Sequence, residues 1–359
     1  MNAPSTGLNR DTLARRFASF WLCENETALM SVTCIRDGCH FIQKEPADTS
    51  QQTLYRWYMD AEEVYKRNIT RIENTFFGGD AFPVITPHFG TAGHAKYFRG
   101  CQYQFANETV WYFPSLEDGT LPEYQSENSI LSLELSCLRQ LCEHGTGNYL
   151  VAQPDNCGTI DALAHLRGSD RLLVDMLENP AWVQSCTRKI MEGYFDSSRK
   201  FYEASQENNF GGCSHGWMQL WADGTVQQLQ GDLSVMISPA MFETFVLPEL
   251  EEACNWLDYS IYHFDGQEQI RHLNMLLSIR NLNAIQWTHV AGQPETTEFI
   301  PVFRRIQSAG KGLVLFPEST QQAKALLENL NPQGLYLITQ ADNEAEAKIY
   351  LELKDCYHV

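Results

Sequence analysis

From about residue 148 onward, short apolar runs alternate with stretches whose apolar positions recur every three or four residues. NYLVAQPD reads as a strand, and TIDALAHLRG, DRLLVDMLENP and the long AWVQSCTRKIMEGYFDSSRKFYEA read as helices. FGGCSHGWMQLW and TVQQLQGDLSVMI read as strands or extended loops. SPAMFETFVLPELEEACNWL opens on a Ser-Pro helix start and keeps helical spacing, with Pro248 expected to kink or break it. The last third repeats one unit. SIYHFDG, AIQWTHV, GLVLFPES and GLYLITQ read as strands, followed in turn by the helices EQIRHLNMLLSI, EFIPVFRRIQSAG, TQQAKALLENL and DNEAEAKIYLELK. Strands alternating with helices of that length imply parallel βαβ units. The expected fold is therefore α/β, a (β/α)8 TIM barrel with an N-terminal helical extension. A doubly wound open sheet is the alternative, but no GxGxxG follows any strand.

The first 80 residues are mainly helical by pattern, TLYRWYMDAEEVYKRNITRIENTF above all, with LMSVTCI as the strand candidate. No Pro/Gly/Ser-rich linker follows them. Residues 1–80 are expected as a helical extension packed on a barrel of residues 81–359, one structural domain overall.

Composition narrows the function classes. A chain of 359 residues with 43% hydrophobic and 20% charged content is globular, with material for a large core. The net charge of −19 argues against nucleic acid and against an anionic membrane surface as partners. The N-terminus has no signal-peptide pattern and no stretch has the apolar length of a membrane span, so a cytoplasmic location is expected. Eleven cysteines with no CxxC pair read as reduced, mostly buried thiols.

In a parallel barrel the reactive groups gather at the carboxyl ends of the strands. Those ends carry His88 and His94 after FPVIT, Asp155 and Asn156 after NYLVA, then Cys213 and His215, Gln230 and Asp232, His263 and Asp265, Gln286 and His289, and Glu318. His263 and Asp265 are two apart, so on a strand they share a face. With Glu318 they make a His-plus-two-carboxylate set suited to zinc or another divalent ion with positions left open for substrate. The bland alternative is that His263 and Asp265 cap the helix that follows. PHFGTAGH can cradle an anionic or planar group with its backbone N–H groups, although the Lys-Ser/Thr partner of a P-loop is absent. Trp217, Trp221 and Trp287 are pocket walls or core filler. No GxSxG occurs, which speaks against a serine nucleophile.

GDLSVMISPAMFETFVLPELEE, followed in order by SIYHFDG, AIQW and GKGLVLFPES, resembles the uroporphyrinogen decarboxylase superfamily. FPVITPHFGTAGHAKYFRGCQYQFANETVW is similar to the early barrel loop of its uncharacterised decarboxylase-like branch. The resemblance spans about residues 50–340 and implies a TIM barrel. The Arg-rich substrate loop of the porphyrinogen enzymes is not matched, since ALMSVTCIRDGCHFIQ holds only Arg36. The other well-known branch, the corrinoid-dependent methyltransferases, binds zinc through a His-x-Cys pair and a distant Cys. On that pattern His263 falls on the His, Asp265 on the first Cys, and Glu318 stands in for the distant Cys. The resemblance thus implies an enzyme moving a methyl group between a small-molecule donor or acceptor and a separate corrinoid (cobalamin) protein, with zinc at the mouth. It implies Asp232 and His215 as catalytic candidates and His88, His94 and Trp217 as cofactor-binding ones. A homodimer follows by family analogy. Two alternatives stand beside it: a metal-independent decarboxylase or lyase on a small carboxylate, with Asp232 or Asp265 as proton donor, and another metal-dependent barrel enzyme such as a hydrolase.

Overall fold

The computed structural model describes residues 8–40, 46–107, 109–145, 147–156 and 158–357. Its strands are β1 (Leu29–Ile35), β2 (Thr75–Gly79), β3 (Val84–Ile85), β4 (Gln102–Ala106), β5 (Thr109–Phe113), β6 (Leu150–Val151), β7 (Cys213–His215), β8 (Leu220–Ala222), β9 (Val226–Leu229), β10 (Tyr259–Phe264), β11 (Ala284–Trp287), β12 (Gly312–Leu315) and β13 (Leu335–Gln340). Seven of them form the central sheet, in the order β2-β1-β13-β12-β11-β10-β9. Every neighbouring pair is parallel except β2, which runs antiparallel to β1. β3 and β6 make a short parallel pair of their own, and just past β6 Gln153 bridges in parallel to His215 of β7. The chain is thus mixed α/β, with a mostly parallel sheet and thirteen α-helices among the described residues.

The repeated unit of the last third explains this sheet. AIQW and GLVL are buried at every position, as strands covered on both faces must be, and so read as apolar runs with no alternation. The helices between them lay their apolar faces on the sheet: Phe303 and Ile306 of Ile300–Ser308, and Ala323, Leu326 and Leu327 of Thr320–Asn329, are all buried. SPAMFETFVLPELEEACNWL breaks where its proline requires. Pro239–Phe245 and Leu247–Trp256 are separate helices, and Pro248 sits in the first turn of the second, where its missing N–H is not needed.

Two features differ from the pattern reading. Residues 1–80 supply β1 and β2 to the central sheet besides their helices, so the N-terminal stretch is part of the scaffold. QYQFANETVWYF folds as the antiparallel β4–β5 hairpin, standing outside the parallel sheet. No helix among the described residues is long and apolar enough to cross a membrane, and the ten described cysteines are all unpaired.

The chain's ends are knotted at Asp80. Its carboxylate takes both Nε (2.7 Å) and Nη2 (3.1 Å) of Arg16, Nζ of Lys354 at 3.1 Å and the backbone N–H of Met30 at 2.8 Å. Burial alone raises its pKa, but the Arg16 and Lys354 charges and the N–H bond outweigh burial and hold it below the usual 3.8. A depressed carboxylate stabilises the fold above its unfolded pKa and loses that contribution as the pH falls through the folded value. Asp80→Asn should therefore cost about 3 kcal/mol at pH 7. The deficit should shrink below about pH 4, where the wild-type carboxylate also takes a proton. Chemical denaturation at the two pH values checks this.

Candidate active site

Of the polar residues singled out at strand ends, Asp232, His263, Asp265, His289 and Glu318 sit at the carboxyl ends of β9 to β12 of the parallel sheet. Asp232 opens a short 3-10 helix (Asp232–Met236) just past β9. His263 is the second-to-last residue of β10 with Asp265 just beyond, and His289 and Glu318 follow β11 and β12.

A cleft of about 550 Å³ opens here. Its walls are Trp111 and Tyr112 of the β4–β5 hairpin, Asp161 and His165 of the helix Thr159–Arg167, and Gln230 and Asp232 after β9. Asp161 fixes the geometry. Its carboxylate accepts the backbone N–H groups of Asp232 (2.9 Å) and Leu233 (3.0 Å), clamping the start of the 3-10 helix. Gly158 makes room for it: φ is +72°, and a Cβ there would sit 2.5 Å from Asp161 Oδ2. Gly158→Ala should destabilise the fold by about 1–3 kcal/mol and loosen Asp161, read as a lower Tm with altered titration of the cleft carboxyls.

Burial, reinforced by the charges of Asp161, Asp265 and Asp155, pushes the Asp232 carboxyl up to about 8. Asp232 Oδ2 accepts from Gln230 Nε2 at 3.0 Å, while Oδ1 is buried with no partner. Burial also raises Asp161, against the pull of the two N–H groups and Gln230. Behind it Glu249, buried and raised well above its usual value by burial and by Asp161, accepts the Ile160 N–H. Carboxyl groups this close cannot all ionise, so at neutral pH Asp232 keeps its proton. The cleft holds no fixed cation to offset them. Among the described residues no Lys or Arg lines it, and burial lowers His165, stacked on Tyr112 at 4.2 Å, to about 4.

An amide chain supports the acid from behind. Gln228 Nε2 donates to Gln230 Oε1, and Gln230 donates to Asp232. His215 lies at the far end, hydrogen-bonded to Gln228 and lowered to about 4 by burial and by His263, hence neutral. His263 donates from Nδ1 to Gln286 Oε1, whose amide nitrogen donates to Thr288 Oγ1 at 2.9 Å.

The zinc set expected from His263, Asp265 and Glu318 is not assembled. No group of three His, Cys, Asp or Glu side chains among the described residues is placed to hold a metal ion. The Nδ1 of His263 is engaged by Gln286, and Glu318 binds His289 Nδ1 at 3.1 Å with its side chain 60% exposed. The residues present do not fit a zinc site, and no chemistry below passes through one.

The remaining candidates separate. His94 is fully buried, with neither ring nitrogen partnered, packed edge-on to Tyr194 at 5.8 Å and lowered to about 3 by burial; it lines neither cleft. His88 is half-buried against Tyr58. Trp217 lies on a second cleft of about 580 Å³ at the same end of the sheet, together with His289 and Glu318. Pattern reading missed Asp161, His165, Trp111 and Tyr112. The alternation of QYQFANETVWYF was the available signal for the last two. Asp161, one turn into a helix after Gly158, looks like an ordinary first-turn carboxylate.

No protein-family model matches the chain, and no curated protein matches it. Among solved structures, a methyltransferase from Methanosarcina mazei is similar to it, with a TM-score of 0.51 at 10% identity, covering 86% of each chain. At that identity the likeness shows the fold.

Proposed function

We propose that the protein is a methyltransferase of the uroporphyrinogen decarboxylase-like type, using a protonated Asp232 as general acid on a small methylated substrate seated in the 550 Å³ cleft. The proposal includes a (β/α)8 barrel, in which the short parallel pair β3 and β6 joins the six parallel strands of the central sheet to make eight. One observation carries the chemistry: a carboxyl raised to about 8, clamped by Asp161 at the mouth of a cleft with one oxygen unpartnered. Removing a methyl group from oxygen, nitrogen or sulfur leaves the electron pair of the broken C–X bond on the heteroatom. A positioned acid that still holds its proton at neutral pH neutralises that charge as it forms, and water restores the proton afterwards. The carbon forms its new bond to an acceptor nucleophile, for which a reduced corrinoid on a separate protein is proposed. The fold likeness to a methyltransferase supports this choice of reaction. Clustered carboxyls without a fixed cation disfavour a polycarboxylate such as a porphyrinogen and suit a neutral substrate.

The test is methyl transfer from methylated oxygen, nitrogen and sulfur compounds to free reduced cobalamin, followed by the absorbance of methylcobalamin. Transfer from one class that is lost in Asp232→Asn supports the reading. No transfer from any class, with carbon dioxide released from a small carboxylate instead, would replace it with a lyase.

A further inference from the structure

We propose that the second cleft, about 580 Å³ in volume beside Trp217, is a separate binding subsite for a neutral planar aromatic molecule carrying an N–H or O–H donor. The subsite does not rest on the methyl-transfer reading.

The subsite is built by the β7–β8 hairpin, whose tip Gly216–Gln219 reaches into the mouth of the sheet. Two costly local choices hold the tip. A Cβ on Gly216 would lie 1.9 Å from Thr86 Oγ1, so only glycine lets the tip close on the segment after β3. Gln219 takes a φ of +44°, a conformation disfavoured for any residue with a Cβ, and its N–H closes the turn onto Gly216 O at 3.0 Å. Strain of this kind persists where the surroundings impose it, and here it sets two side chains.

The first is Trp217. It stacks on Phe316 with centroids 5.8 Å apart and planes at 23°, and meets His263 edge-on at 5.6 Å. It nevertheless stays 40% exposed, on the wall of a cleft large enough for a bicyclic ring. A clamped indole with free surface is a stacking platform. The second is Gln219. Its side-chain Oε1 is buried without a partner, and the residue lines the same cleft. A buried acceptor with no donor is unfavourable until a ligand brings one. Glu318, the one carboxylate on the wall, already accepts from His289 Nδ1 at 3.1 Å, and among the described residues no Lys or Arg lines the cleft, so no unpaired charge faces a ligand. Ring, donor and neutrality follow from these three features.

Calorimetric titration of the full chain with indole, and with 1-methylindole as the donorless control, tests this. Indole should bind, with 1-methylindole about tenfold weaker. Trp217→Ala should weaken indole tenfold or more, Trp217→Phe should keep it within about threefold, and Gln219→Gly should erase the preference for indole over 1-methylindole. Asp232→Asn, in the other cleft, should bind indole as the wild type does. No indole binding to the wild type would overturn the proposal. So would binding indifferent to both Trp217→Ala and Gln219→Gly, or binding lost in Asp232→Asn. If Trp217→Ala misfolds, Trp217→Phe and Gln219→Gly still decide. Trp217-dependent indole binding without any methyl transfer would leave the subsite standing and sink the reaction assigned above; transfer without indole binding would do the reverse.

Discussion

Asp232→Asn is expected to lower turnover by about 10²–10⁴-fold, the range that a positioned general acid supplies. The asparagine keeps the shape and the acceptor oxygen for Gln230 but has no carboxyl proton to give. In the wild type the rate should fall on the alkaline side as the carboxyl, raised to about 8, ionises; in the variant that limb should disappear. Stability should move the opposite way. A carboxyl whose folded pKa lies above its unfolded value binds more protons when folded. Its presence therefore costs the native state increasingly as pH rises from about 4 to about 8, the span between the ordinary and the raised value. At pH 8 the variant should be more stable than the wild type by about 1–2 kcal/mol, and near pH 4 the two should agree. Lost activity accompanied by gained stability is the pattern of a residue kept for function.

Lys96→Met should be the most destabilising single change near the site. Lys96 and Glu134 form an ion pair at 2.5 Å with both side chains fully buried. Lys96 also donates to Phe89 O, and the Tyr97 hydroxyl donates to Glu134. Burial pushes Glu134 up, and the Lys96 charge with the hydrogen bonds that Lys96 and Tyr97 donate to it pulls it back. Removing the cation alone strands a buried carboxylate, costing about 3–5 kcal/mol and lowering Tm by about 5 °C. Lys96→Met with Glu134→Leu should recover most of that loss, since neither charge is then left unpaired. The pair bears on the site because it anchors the turn Gly93–Tyr97 to the helix Ser129–Gly145. From that turn the Gly93 N–H reaches Asp155 O at 3.0 Å, and Asp155 is one of the charges that raise Asp232. Thermal melts of the single and double variants decide between a structural pair and two independent residues.

The parallel scaffold was legible because its strands are short apolar runs set between helices with a clear apolar stripe, and β1 coincides with LMSVTCI. The break at Pro248 was legible for a local reason: a proline cannot donate within a helix. Asp232, His263 and Glu318 lie at one end of the sheet because each ends or follows one of its parallel strands. Ligand identity was less legible. Spacing places His263 and Asp265 near each other but cannot reveal that Gln286 takes the His263 Nδ1 or that Glu318 turns to His289. What raises Asp232 was also hidden. Asp161 lies 71 residues earlier in the chain, and only folding brings its carboxylate onto the Asp232 N–H. Lys and Glu are mostly exposed in folded proteins, so the burial of Lys96 and Glu134 is a tertiary fact that the sequence does not show.

The central claim is that Asp232 holds its proton at neutral pH because Asp161 and its neighbours crowd it in a buried cleft. Carbon-13 NMR titration of the side-chain carboxyls measures this without knowledge of the substrate. The expected result is one carboxyl with a midpoint near 8 that vanishes in Asp232→Asn and moves down by about one unit or more in Asp161→Asn. An Asp232 resonance that titrates near 4, or one unmoved by Asp161→Asn, would contradict it.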